Sequence, residues 1–434
     1  MKLFENYSKD FDAILSKKVK ITPELIKAQK VVNFSAENRV TLNERSYSNM
    51  IPSTIEGPKV LFSYDRKTLK KYFGENKDSF EDITIGPHPD FSNLTNTDYL
   101  NHHCVSAFID IKGSTRLIDK YTLLEVRLIK DSLLTLAIEV ANQFGGHVHR
   151  LQGDGIFLQF VRRNKIPNDA VINALNAVAV LTQFVSVELS NIMKQYELRP
   201  LKIRAGIDYG EDEKVLWSYY GVAGCEELTT TSLHTDMAAK LQAKADDNCI
   251  LIGDNVKKIL DIKKEFYSYY QNSENKELVY HITSNLTYPF FVFNWKEYLN
   301  SLPFISKVSG SDSLEIRDKD VFIECHISDE DGSNIEKYYP NSKSIKKGKK
   351  IHFKLLKNNR PYIKLEFENI EWRGRNSGKE AEDQKQLNLD FDKYFDNKTE
   401  CTVDAAFLGH HHIECKINRG HLNPEKITFP IFVH

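Results

Sequence analysis

The sequence predicts an α+β core followed by a β-rich C-terminal region, and three observations carry that expectation. Between residues 102 and 207 strand and helix patterns alternate: VSAFI, a long helical periodicity, the pair HVHRL and IFLQFV, a second long helix, then LKIRAGI. Residues 303–434 read instead as short alternating strands separated by Gly-, Asn- and Lys-rich turns. At 434 residues, with 41% hydrophobic and 27% charged positions, the chain is an ordinary globular sequence with room for two or three domains. We divide it into a helical and mixed support region (1–98), the core (99–284), an aromatic linker (285–302) and the β-rich region (303–434).

The net charge of −1 gives no reason to expect nucleic acid or an anionic membrane as partner. No apolar stretch approaches 18 residues, so no membrane span is expected, and MKLFENYSKDFDAILSKK lacks the apolar core and small-residue cleavage site of a signal peptide. Six scattered cysteines without a CxxC pair favour reduced thiols in the cytoplasm.

In order along the chain, Lys2 to Lys30 reads as largely helical, with Phe4, Phe11, Leu15 and Leu25 as apolar anchors. VLFSY (60–64) reads as a strand, and Gly86-Pro87-His88-Pro89 as a break before the core. Val105 to Ile109 is a strand ending in Asp110, followed by Lys112-Gly113-Ser114-Thr115 and a helix from about Arg116 to Phe144. Leu117, Tyr121, Leu124, Leu128 and Ile129 set its apolar face, and Gly145-Gly146 ends it. A strand that turns through Gly into a helix offers backbone N–H groups to an anion. HVHRL and IFLQFV then pair across Gln152-Gly153-Asp154-Gly155, which places Asp154 at a hairpin tip facing Asp110. Either carboxylate alone reads as a turn or cap residue. Together they repel unless cations hold them, and a pair of Mg²⁺ or Mn²⁺ about 4 Å apart fits phosphoryl transfer.

Asn168 is expected to cap a second helix, from Asp169 to about Tyr196. In the strand Leu201–Ile207, Leu201, Ile203, Ala205 and Ile207 point one way, Lys202, Arg204 and Asp208 the other. LTTTSLHTDMAAKLQAKA (228–245) leads from a polar turn into a helix, and CILIGD (249–254) reads as a strand. His410-His411-His412 lies on a strand pattern, where alternation prevents the three rings from converging on a metal.

FIDIKGSTRL followed by RLQGDGIFLQF resembles the metal-binding core of the class III nucleotidyl cyclases, over roughly residues 100–283. The resemblance implies a ferredoxin-like core, a head-to-tail homodimer and active sites in the shared cleft. It implies that Asp110, Asp154 and the Ile111 backbone hold two divalent ions, Mn²⁺ or Mg²⁺. Ile111, Lys112, Gly113, Ser114 and Thr115 would cradle a nucleoside triphosphate, and Arg204 would contact its phosphates. Aligned on MAAKLQ, the family's Asn-x-x-x-Arg pair, which orients the ribose and stabilises the transition state, is replaced by Asp236 and Lys240. Lys240 keeps a point charge there without the arginine fork. An exposed Asp–Lys helix pair at i, i+4 is the plain alternative.

Base choice in that family depends on two positions, here Arg150 and Thr229. An arginine has only donors, which disfavours guanine, and it fills space that a purine would need. With this departure the chain resembles the bacterial pyrimidine cyclases of antiphage signalling. IEWRGRNSGKEAEDQ and ECTVDAAFLGHHHIECKI resemble the C-terminal sensor domain of some bacterial defence enzymes. The implied activity converts UTP or CTP to the 3′,5′-cyclic monophosphate and pyrophosphate. A separate effector would read the product, a phage trigger would act on the C-terminal region, and that region would be dispensable for basal chemistry. The two carbonyls of uracil lean the expectation to UTP. An adenylate cyclase with an unusual arginine, or a degenerate nucleotide-binding module, are the alternatives.

Overall fold

The computed structural model describes residues 66–76, 78–119, 121–222, 224–271, 276–307, 314–316, 319–390, 396–420 and 422–434, with Glu5, Ser8, Lys9, Phe11 and Asp12. The expected strand at 60–64 and most of the expected helix 2–30 lie outside the described residues. Phe11 is buried in the main core.

Strand β1 (Cys104–Ile111), helix α1 (Leu123–Gln143), the hairpin β2 (Gly146–Gln152) and β3 (Gly155–Phe160), helix α2 (Pro167–Gln183) and β4 (Ile203–Gly210) form the core. The strands lie in the order β4-β1-β3-β2, all antiparallel, which is the ferredoxin-like βαββαβ arrangement. The chain continues through the hairpin β5 (Leu216–Val222) and β6 (Cys225–Thr231), helix α3 (Leu233–Lys244), β7 (Cys249–Gly253), α4 (Asp254–Leu260), β8 (Thr287–Phe293) and α5 (Trp295–Asn300). β7 joins parallel to β4, and β8 joins β7 antiparallel.

Strand alternation sorts β1 and β4 into two faces. Val105, Ala107, Ile109, Ile111, Ile203, Ala205 and Ile207 pack with α1 and α2 in the main core. Asp110, Arg204, Gly206 and Asp208 take the other face, against α3. Helix α3 sits so close to β4 that a Cβ on Gly206 would lie 2.1 Å from the Ala238 carbonyl and 2.3 Å from the Gln242 nitrogen.

The first turn of α3 is held by buried polar groups. Ser232 Oγ accepts from the His234 N–H at 3.2 Å, and His234 Nδ1 lies 3.0 Å from Asp208 Oδ2. From β8 the Tyr288 hydroxyl reaches Asp208, 2.9 Å from each carboxylate oxygen. Burial pushes the Asp208 carboxyl up, and its hydrogen bond with His234 opposes this.

Several elements depart from the sequence expectation. The long helix begins at Leu123, not near Arg116; Ser114–Leu117 is a short 3₁₀ turn, and Thr122 with Glu125 makes a capping box that starts α1. The second helix starts with Pro167 at its first turn and is not capped by the Asn168 side chain, which donates to the Ile259 carbonyl at 3.0 Å. That run, Pro167–Gln195, is long and apolar enough to cross a membrane by composition, and polar residues hide this from a search for unbroken apolar stretches. In the fold its most apolar window is 89% buried. The aromatic segment expected as a linker supplies β8 to the sheet, and Phe291, Phe293, Trp295 and Tyr298 join the main core.

The C-terminal region holds two five-stranded sheets. One contains β9 (Val321–Ser328) and β10 (Lys350–Lys357); the other contains β11 (Asn369–Arg375), and β12 (Glu400–Asp404) pairs with β10. β13 (Gly409–Asn418) and β14 (Glu425–Val433) belong to the second sheet, with the short strands Ser344–Ile345 and Asn388–Asp390 at its edges. Ile351, Phe353, Trp372, Cys415 and Phe429 fill one core between them. A short helix, Lys379–Asp383, means the region is not purely β. The three histidines spread over separate partners: His410 to Asn341, His411 to the Phe407 carbonyl, His412 to Lys263. Burial holds His411 and His412 down at about 4. This region docks on α2, where Asp169 accepts from the Ser344 N–H and hydroxyl, each at 2.7 Å. Phe304, Ile305, Leu314, Ile316 and Phe432 also belong to the main core, so a chain ended near Asn300 loses core side chains.

Tyr288→Phe removes a donor from a buried carboxylate and is expected to cost about 1.5–3 kcal/mol, read as a lower urea midpoint at unchanged slope.

Candidate active site

Two strand registers assemble the site. Ile109 pairs with Ile156 across β1 and β3, so the next residue on β1, Asp110, meets the hairpin turn of Gly153 and Asp154. Asp110 itself pairs with Arg204 across β1 and β4. The central turn residues are therefore Gly153-Asp154, with Gly153 at φ +65, and not Asp154-Gly155.

Asp110 Oδ2 accepts from Arg204 Nη2 at 2.8 Å and Nε at 3.1 Å, and from Gln242 Nε2 at 3.3 Å. Burial pushes the Asp110 carboxyl up; the Arg204 hydrogen bond opposes this, and the neighbouring Asp154 carboxyl adds to the rise. The two carboxyl groups are thus neighbours at the strand end and the hairpin turn. Asp154 Oδ1 has Lys130 Nζ at 3.4 Å, whereas Asp154 Oδ2 is buried with no hydrogen-bond partner among the described residues. A buried carboxylate oxygen without a donor, beside a second carboxylate, fits a hard divalent cation. Asp110 and Asp154 would hold it, with the Ile111 backbone adjoining.

Beyond Asp110 lies a cleft of about 490 Å³ lined by Ile111 to Leu117, Arg199, Lys202 and Arg204. Gly113 has φ +74, and a Cβ there would meet nothing within 4 Å. Lys112, Arg116, Arg199, Lys202 and Arg204 face one carboxylate, Asp247, among the described lining residues. The excess of cations suits a polyanion such as a triphosphate. Because α1 starts at Leu123, its N-terminus does not contribute to this cradle.

On the α3 side, a cleft of about 570 Å³ is lined by Phe108, Asp110, Arg150, Glu227, Thr229 and Asp236, among others. A bulge in β2 shifts the register between Val148 and Arg150, leaving His149 buried and Arg150 half exposed. Arg150 Nε donates to Glu227 Oε1 at 3.0 Å, its Nη2 donates to Oε2, and His149 Nε2 lies 3.3 Å from Oε1. Burial, then the Arg150 charge, pushes His149 down to about 4, so it is neutral at pH 7. Lys240 is not in this cleft. It is exposed, one turn beyond Asp236, with Nζ 5.3 Å from the Tyr280 ring centroid.

Sequence reasoning missed Lys130, Gln242 and Glu227. Glu227 was the legible one, two residues before Thr229 on one strand and therefore on the same face. A separate group, His102, His103 and Asp212, has ligand atoms within 4.8 Å of one another at the opposite end of β1; there Asp212 Oδ1 accepts from the His103 N–H at 2.7 Å.

Residues 293–423 match the family described as adenylyl/guanylyl and SMODS C-terminal sensor domain. A cytidylate cyclase of Staphylococcus aureus is 36% identical over 391 residues, covering 89% of this chain and 88% of that protein. A cytidylate cyclase of Escherichia coli is 35% identical over 285 residues, 62% of this chain and 59% of its own length. Among solved structures, the adenylyl cyclase CyaB from P. aeruginosa covers 45% of this chain and 95% of its own, at 16% identity and a TM-score of 0.39. The chain belongs to the family of the cytidylate cyclases.

Asp154→Ala and Asp110→Ala should each lower cyclic nucleotide formation by several orders of magnitude. The melting temperature of the metal-free protein should hold or rise, because carboxylate repulsion is relieved. Calorimetric titration with Mn²⁺ should show the lost binding directly.

Proposed function

We propose that this chain is a pyrimidine nucleotide cyclase that converts UTP or CTP to the 3′,5′-cyclic monophosphate and pyrophosphate. The observation that carries the reading is the facing pair Asp110 and Asp154, with the unpartnered Asp154 Oδ2, beside the cationic cradle at Gly113. Two bound Mn²⁺ or Mg²⁺ would lower the pKa of the 3′-hydroxyl and neutralise charge on the leaving phosphates. The backbone of Ile111 to Thr115, with Lys112, positions the triphosphate in line for attack by its own 3′-oxygen. Arg204 holds Asp110 in the nucleotide-free protein and can transfer its fork to a phosphate oxygen once that carboxylate binds metal. The O3′–Pα bond forms as the bond from Pα to pyrophosphate breaks.

Asp236 and Lys240 act on the ribose and the developing phosphate charge from the second subunit of a head-to-tail homodimer. The exposed position of Lys240, outside the cleft of its own chain, supports action in trans. Arg150 and Thr229 line the base pocket. The C-terminal region receives the phage signal, and a separate effector protein reads the cyclic nucleotide in the cytoplasm. This antiphage reading rests on the sensor-family match.

Incubation with each of the four ribonucleoside triphosphates and Mn²⁺ should yield cyclic product from a pyrimidine substrate. Cyclic AMP as the main product would favour the adenylate reading, and no product from any substrate would favour a binding module. Mixing inactive Asp110→Ala with inactive Lys240→Ala should restore part of the activity through one competent site per heterodimer. If subunits exchange and no activity returns, action in trans fails.

A further inference from the structure

We infer that Glu227 is a specificity-determining residue, and that with Arg150 it selects cytosine over uracil; the inference rests on the pyrimidine cyclase reading above. On β6, Glu227 shares a strand face with Thr229, and both line the same cleft as Arg150. The carboxylate accepts from Arg150 Nε and Nη2, and His149 Nε2 approaches at 3.3 Å. The two Arg150 hydrogen bonds occupy two of its roughly four lone-pair sites, so acceptor capacity remains for a ligand. Of the five guanidinium N–H groups of Arg150, two are committed to Glu227, and three can serve a base.

The pair therefore presents donors beside an acceptor. Cytosine offers the complement, a 4-amino donor beside the N3 and O2 acceptors, and a carboxylate accepting from that amine is a matched contact. Uracil replaces the amine with O4, so Glu227 would face a second acceptor while N3–H would point at a guanidinium. Arg150 considered alone favours the two carbonyls of uracil; Glu227 reverses the preference. Its charge is also what holds Arg150 across the cleft, because the two-point contact fixes the guanidinium plane. Adenine carries a similar amine-beside-nitrogen edge on a longer base. Exclusion of adenine therefore falls to the depth of the pocket, whose wall includes the stacked rings of Phe108 and Phe157, 4.2 Å between centroids.

The test is kcat/KM for CTP, UTP and ATP with the full-length wild type, Glu227→Gln and Glu227→Ala. Wild type should prefer CTP over UTP by about tenfold to a hundredfold, the span for leaving buried polar groups unpaired. In Glu227→Gln the amide can turn either its oxygen to the cytosine amine or its nitrogen to uracil O4. The CTP:UTP ratio should then fall toward one, with CTP losing most. Glu227→Ala should abolish the preference as well. A merely structural role would lower both substrates together and leave the ratio unchanged, and that result overturns the assignment. Preference for UTP in the wild type overturns it too. Efficient use of ATP, or of no nucleotide, would instead overturn the pyrimidine cyclase reading, so the two failures are distinguishable.

Discussion

The contact on which the site depends is the seating of α3 on β4 at Gly206. With a Cβ position only 2.1 Å from the Ala238 carbonyl, no side chain fits between helix and sheet. That approach brings Gln242 within 3.3 Å of Asp110 and sets Asp236 on the wall of the cleft. It also determines what the other end of the helix needs. His234, close to the sheet, meets the buried carboxylate of Asp208, and Tyr288 completes that group's hydrogen bonds. A buried carboxylate without such partners would be costly, so the seating of α3 and the position of β8 are coupled.

On the same sheet face the carboxylates are arranged differently. Asp208 is closed off and satisfied, whereas Asp110 and Asp154 are crowded together and only partly compensated by Arg204 and Lys130. Burial, and then the neighbouring Asp154 carboxylate, raise the pKa of Asp110 in the ligand-free protein. A divalent cation relieves both effects at once, which is why such a pair is unfavourable alone and selective when loaded. Arg204 bridges the two clefts: it holds Asp110 now and lines the cationic cradle that a triphosphate would enter.

The C-terminal sheets are not a loosely tethered addition. Asn176 of α2 donates to the Asn341 carbonyl at 2.8 Å and accepts from the Tyr298 hydroxyl at 2.8 Å. Lys263, pushed down by burial, lies against His412. A change in how these sheets sit would reach α2 through buried hydrogen bonds, and β8 runs from this junction back to Asp208. The connection offers a physical route between the two regions.

By itself the sequence determined the alternation of strand and helix, the order of those elements, an aspartate at a strand end, another in a hairpin turn, and the glycine turn between the strand and the cationic cradle. Those features are local: period, turn chemistry and spacing specify them within a few residues. Tertiary structure decided what sequence spacing could not. Helix α1 begins at Leu123 because the Thr122–Glu125 capping box outweighs the apolar period that continues back to Leu117. The aromatic run supplies a sheet strand, Thr287–Phe293, because β7 leaves an edge to pair, a fact about a neighbour some 40 residues away in the chain. Lys130 and Gln242 enter the site through the packing of α1 and α3 on the sheet, which no short motif encodes, whereas Glu227 was legible from its two-residue spacing to Thr229. Lys240, adjacent to the site by motif, faces away from it because a helix with Gln242 turned toward Asp110 must present position 240 elsewhere.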